Sequence, residues 1–197
     1  MTSGTSVVTP ERFASGISSY KEWMEAITQN KELFQRHYDE YTPNPDDAAA
    51  IKRMVQENGV KALILGEDWC PDVWRGLSVL CKVGESTGME VRMFKRDENK
   101  DIMAEFLKEG EFESIPTIVF YDRNQRYLCH WIERAEQATR EMADVRKRVM
   151  PEVMPERDTP EWREVTRRSR DAMIDAAGPW RDAQTTEMRQ MLEKALA

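Results

Sequence analysis

Residues 67–76 read EDWCPDVWRG and hold the strongest candidate for covalent chemistry in the chain. Cys70 stands between Trp69 and Pro71, shortly after the apolar run VKALILG at 60–66. A thiol so placed can attack a disulfide if it ionises, because the thiolate is the nucleophile. A second thiol three positions on would complete a redox pair, but that position is Val73. Proline fits a first helical position, where no amide hydrogen is needed, so Cys70 is expected at the tip of a helix, whose dipole favours thiolate. Glu67, Asp68 and Asp72 favour the neutral thiol instead, with Arg75 and Arg96 available to compensate. An ordinary cysteine titrates near ~8.5, and a helix N-terminus can bring it to roughly 3.5–7.5. The residues leave open which influence wins, and an unreactive cysteine fits them as well. Cys81 lies eleven residues further along the same helix. That is about 16 Å at 1.5 Å per residue, beyond the ~7 Å between Cα atoms that a disulfide spans. Cys81 therefore reads as a core residue, and Cys129, in a predicted hairpin strand, reads as buried too.

Other chemistries find less support. The two histidines are His37 and His130. His130 and Cys129 adjoin in a strand and so point to opposite faces, a poor arrangement for a metal. The chain has no glycine-rich phosphate loop and no G-x-S-x-G elbow. Twelve methionines read as core and helix-face filler.

The elements that must hold Cys70 follow from hydrophobic periodicity. Val60–Gly66 reads as a buried strand, Pro71–Glu85 as a helix, Met89–Lys95 as an alternating strand and Lys100–Glu109 as a helix. Thr117–Tyr121 and Arg126–Ile132 read as strands of a hairpin turning at Asp122–Gln125, and Ala135–Met150 as a charged helix. This order, β-α-β-α-β-β-α, makes a mixed sheet with helices on both faces. Upstream, residues 1–8 are expected to be disordered and 9–58 to form a helical extension. In it Thr9-Pro10-Glu11 caps a helix, a break falls near Gln29-Asn30-Lys31, and Asp46 caps a helix over Ala48–Glu57. Downstream, three prolines interrupt residues 151–160, and a second extension, 151–197, holds two helices parted at Gly178-Pro179. Trp162 and Trp180 read as anchors docking these helices on the 60–150 domain, or as a dimer or partner surface.

Trp69-Cys70-Pro71-Asp72 after a strand, with Ser114-Ile115-Pro116-Thr117 entering the next, resembles the thioredoxin superfamily. The likeness is greatest to bacterial thioredoxin-like proteins whose active site reads W-C-x-D-C. Arg96-Asp97-Glu98-Asn99 and Trp131-Ile132-Glu133-Arg134 support it, and it covers roughly residues 46–148. It implies a thioredoxin-like α/β fold with Cys70 as nucleophile and a cis bond before Pro116. It further implies a substrate groove formed by Trp69, Pro71, Asp72, Val73, Trp74, Ile115, Pro116, Thr117 and Ile132, with Trp69 shielding the sulfur. Three departures bear on activity. Val73 replaces the resolving thiol, Ile64 stands where the family has a buried carboxylate, and Ile132 falls near a glycine of the groove.

A net charge of −7 argues against nucleic acid or an anionic membrane as the main partner. No apolar stretch approaches the ~20 residues of a membrane span. The first residues, MTSGTSVVTP, lack the basic-then-apolar pattern of a secretory leader, so the cytoplasm is the expected address. No cofactor and no metal is expected. Two functions remain. One is monothiol exchange, in which Cys70 attacks a protein disulfide or a low-molecular-weight thiol's disulfide and an external thiol resolves it. The other is a redox-inactive binding or scaffold module. Retention of Trp69, Cys70 and Pro116 inclines the reading to the first, while Val73, Ile64 and Ile132 favour the second. A homodimer is compatible with either.

Overall fold

The computed structural model describes residues 6–197. Four strands, β1 (Lys61–Gly66), β2 (Glu90–Lys95), β3 (Thr117–Tyr121) and β4 (Tyr127–Ile132), form one sheet in the order β2-β1-β3-β4. β1 is parallel to β2, whereas β1–β3 and β3–β4 are antiparallel. In register, Ile64 lies between Met93 and Ile118, and Thr117 pairs with Ile132. Ala62, Leu63, Ile64 and Leu65 are all fully buried, so both faces of the central strand are covered.

Nine helices are present among the described residues. α1 (Pro10–Ala14), α2 (Tyr20–Ala26), α3 (Lys31–Asp39) and α4 (Pro45–Asn58) precede the sheet. α5 (Pro71–Thr87) joins β1 to β2, α6 (Lys100–Met103) follows β2, and α7 (Glu136–Val149), α8 (Pro160–Asp175) and α9 (Ala177–Leu196) follow β4. α5 is buried nearly all round, from Val73 and Trp74 through Leu77, Leu80 and Val83. A helix apolar on every side needs neighbours on every side, and these are β1, β2, α3, α4 and α9. The helices outside the sheet domain thus complete its core.

Several boundaries differ from the sequence reading. Residues 6–8 are packed, with Val8 buried and the Val7 amide donating to Glu105, so the expected disorder of 1–8 does not extend to them; residues 1–5 lie outside the described part. The N-terminal extension opens with three short helices: Ile17 leaves the helical path after α1 to bridge Met93, and Asn30, at positive φ, separates α2 from α3. The helix cap before α4 is Asn44, whose side chain accepts from the Asp46 and Asp47 amides, and Pro45 takes the first position. The helix expected over Lys100–Glu109 stops at Met103, and the chain then turns through Glu109 and Gly110, both at positive φ, to close Lys108 on Phe112. The last two helices part at Ala176 rather than at Gly178-Pro179. Pro179 sits in the first turn of α9, where its missing amide hydrogen costs nothing.

Candidate functional site

β1 ends at Gly66, and four residues later Cys70 caps α5 with Pro71 at its first position. The Cys70 carbonyl accepts from the amides of Val73 and Trp74, closing the first turn. The Ile115–Pro116 bond is cis, and the Cys70 Sγ donates to the Ile115 carbonyl at 3.7 Å. Pro116 in turn packs on α5 at Gly76: a Cβ there would lie 2.8 Å from the proline Cγ. Thr117 is buried with its hydroxyl donating to the Ser114 carbonyl, and beyond its partner Ile132 the Glu133 amide donates to the Pro116 carbonyl at 2.7 Å.

Cys70 itself is only 9% exposed. Burial pushes its thiol above the ordinary value, opposed by the amides of Val73 and Asp72; the Asp72 carboxylate adds to the rise and Arg134 counters it. Of the two expected compensators, Arg75 directs Nη2 to Asp72 at 2.6 Å. Arg96 pairs with Asp97 and Glu113 and lies over the Trp69 ring at 5.6 Å from its centre. Trp69 is 47% exposed beneath that guanidinium. Asp68 is taken up in a separate cluster: burial raises its carboxyl, but donation from Thr28 and Gln29 outweighs this and holds it below the usual range. Glu67 is buried and its carboxyl raised by that burial, even though the Asp97 amide donates to it.

Val73, in the second-thiol position, is fully buried and lies so close over Gly66 that a Cβ there would meet its Cγ1 at 2.6 Å. Cys81 is buried beside the Met93 sulfur, and burial moves its thiol well up. Cys129 is half-buried, with burial pushing it to about 11. All three cysteines are free. His130 accepts or donates at Nδ1 to the Tyr127 hydroxyl, and no cluster of three or more metal-ligating side chains occurs among the described residues.

Beside the cysteine, on the far side of the first turn of α5, lies a cleft of about 400 Å³ between α5, α7 and α8. Pro71, Asp72 and Trp74 line it, whereas Cys70, Ile115, Pro116, Thr117 and Ile132 do not. The residues of the sequence-based site thus divide between the cysteine–cis-proline contact and this cleft. The cleft also draws on Arg134, Arg146 and Arg170, which the sequence did not single out as functional. Arg134 Nη2 reaches Asp72 at 2.7 Å, so Asp72 joins α5 to the chain after β4. The one sequence signal was Arg134 itself, in the Trp131–Arg134 run; nothing marks Arg146 or Arg170 within two strongly charged helices.

A strand, a cysteine-capped helix and a cis-proline turn packed against that helix define a thioredoxin-fold protein. A family model described as thioredoxin matches residues 17–147, and the chain belongs to that family. Among solved structures it is similar to a protein of unknown function from Pseudomonas aeruginosa, with a TM-score of 0.66 and 15% identity over 98% of this chain and 99% of that one. It is also similar to an HIV epitope scaffold, with a TM-score of 0.63 and 15% identity over 96% of this chain and 99% of the other. Likeness at such identity concerns the fold, and its coverage takes in the helices on either side of the family match. No curated protein matches the chain. Among the described residues no helix is long and apolar enough to cross a membrane.

Proposed function

We propose that this thioredoxin-family protein is a binding module whose Cys70 rests as a thiol. The observation that carries the reading is the seat of the sulfur, 9% exposed and donating to the Ile115 carbonyl, with burial raising its pKa. A group that donates its proton to a carbonyl is held in the form that does not attack. Val73 and Ile64, both fully buried, supply neither a resolving thiol nor an acid to assist one. The cleft beside α5 supports the binding half of the proposal, being of the size that small ligands occupy.

Thiol reactivity tests this directly. With Cys81 and Cys129 replaced by serine, Cys70 in the folded chain should alkylate more slowly at neutral pH than in urea, with a rate profile centred above ~8.5. Fast alkylation centred below that value overturns the proposal. It would support the second reading, monothiol exchange, which one observation favours: the Asp72 and Val73 amides and Arg134 all act on the sulfur in the direction of thiolate. In that reaction the thiolate attacks one sulfur of a disulfide, the other leaves as thiolate, and an external thiol releases Cys70 from the mixed disulfide. Val73→Cys separates the readings further. The binding module gains no protein-disulfide reductase activity from it, whereas a competent groove lacking only its resolving thiol does.

A further inference from the structure

The cleft between α5, α7 and α8 has a composition at odds with the rest of an acidic chain. Four guanidinium groups, Arg75, Arg134, Arg146 and Arg170, line it, against a single carboxylate, Asp72. His37 at its floor adds no charge, because burial and the neighbouring arginines drive its pKa down to about 3. An arginine cluster can be purely structural, and the Arg75–Asp72–Arg134 bridge does have that use, tying α5 to the start of α7. It does not account for the other two. Arg146, on α7, has no ion-pair or hydrogen-bond partner among the described residues, and Arg170, on α8, reaches only its chain neighbour Asp171 at 3.4 Å.

Nor does the bridge satisfy Arg134. A guanidinium carries five donors on three nitrogens. Nη2 serves Asp72 and Glu133, but Nη1 faces the Met142 sulfur at 3.7 Å, and Nε is buried without a partner. A thioether is a weak acceptor, so Nη1 is left without an oxygen partner. An oxyanion bound in the cleft would give Nη1 one. Met173 and Ile174 of α8 and Trp74 of α5 line the same cleft with apolar side chains. The fitting ligand therefore has at least two acidic groups on a compact organic body.

We propose that this cleft binds a small organic polyanion, gripped by Arg134, Arg146 and Arg170 and resting on the apolar side chains of α5 and α8. The inference deepens the binding reading above and rests on it for its biological sense, though the site needs nothing from the sulfur. Its α8 wall lies beyond the residues that match the family, so the site belongs to this chain's additions. Carboxylate and phosphate esters share the chemistry, and the test separates them.

Titration calorimetry of the full chain at low salt uses citrate, pyrophosphate and acetate as probes. Citrate or pyrophosphate should bind and acetate should not, with affinity falling as salt is added. Citrate ahead of pyrophosphate assigns carboxylates, and the reverse order assigns phosphates. Arg146→Gln with Arg170→Gln, both exposed and outside the Asp72 bridge, should weaken binding by about tenfold or more while leaving thermal unfolding in place. Absence of binding by either polyanion at millimolar concentration, or binding indifferent to that pair, overturns the proposal. Cys70→Ser should bind as the parent does. If anions bind but Cys70 alkylates fast, the thiol reading fails and the cleft stands; if Cys70 is inert and no polyanion binds, the polyanion site fails and the thiol reading stands.

Discussion

Position 70 shows how much a single side chain's surroundings decide. The helix tip and Arg134 pull the thiol toward ionisation, and burial together with Asp72 pushes it back; burial is the largest influence, so the thiol is favoured. Sequence displayed the helix tip and Asp72 but pointed to Arg75 and Arg96 in place of Arg134, and it did not display the burial, which depends on the cis-proline turn arriving from 45 residues away. His37 follows the same rule with a clearer consequence. It is buried, and Arg181 Nη1 donates to its Nδ1 at 3.1 Å, which requires the neutral ring. Its folded pKa of about 3 lies below the ordinary 6.5, so the unfolded chain binds the extra proton first. The stability that goes with neutral His37 is complete above pH 6.5 and declines as pH falls toward 3. Urea unfolding at stepped pH should therefore show a loss on the order of 1 kcal/mol per pH unit in that window. The slope should flatten in His37→Gln, and an unchanged slope in that variant would assign the acid sensitivity elsewhere.

Among the elements, α5 and the cis-proline turn depend on each other through Gly76. The glycine carbonyl accepts from Gln184 Nε2 of α9 at 3.0 Å, and its bare Cα leaves the space that Pro116 occupies. Gly76→Ala would gain about 1 kcal/mol of helix propensity. The new methyl, 2.8 Å from a proline ring that has little freedom to yield, costs more, as overpacking typically takes ~1–3 kcal/mol. A net loss of about 1 kcal/mol is expected by urea unfolding. Gly178→Ala, with open space around it, should be neutral or stabilising, so a matching loss there would refute the steric account. Elements of this kind were legible in different degrees. β1 and β3 announced themselves as unbroken apolar runs, and the Ile115-Pro116 turn through its resemblance to a known family. The sequence overextends α6 because Phe106 and Leu107 continue a helical spacing, whereas the helix ends at Met103 and the Glu105 and Phe106 amides donate to Ile102 and Met103 in tighter turns. The convergence of Arg134, Arg146 and Arg170 was invisible, since charged residues on solvated helices carry no sign of which neighbour they will meet.

At the scale of the whole molecule, the question is whether residues 151–197 are an attachment or part of the fold. α9 answers it by the number of elements it holds. Gln184 bonds α5, Thr185 meets the Tyr41 hydroxyl at 2.6 Å, Thr186 and Arg189 take Asp47 of α4, and Glu187 accepts from Trp131 of β4. Trp180, Met188 and Leu192 are fully buried, and Trp180 Nε1 donates to Glu141 of α7. Each such apolar side chain contributes roughly 1.5–3 kcal/mol on burial, against a typical total stability of ~5–15 kcal/mol. Removing the segment would also take the hydrogen-bond partners of Asp47 and the Trp131 indole, at a further net ~0.5–1.5 kcal/mol each once water replaces them. These losses together match or exceed the stability of the domain. A chain ending at residue 150 should therefore retain helical far-ultraviolet dichroism but lose its sharp thermal transition and bind a hydrophobic dye, as compact states without fixed packing do. The full chain should melt in one step that reports sheet and C-terminal helices together. A truncated chain that melts sharply within a few degrees of the full one would show the sheet domain to be self-sufficient. In that case the cleft would be bounded by a detachable arm, not by the core that positions Cys70.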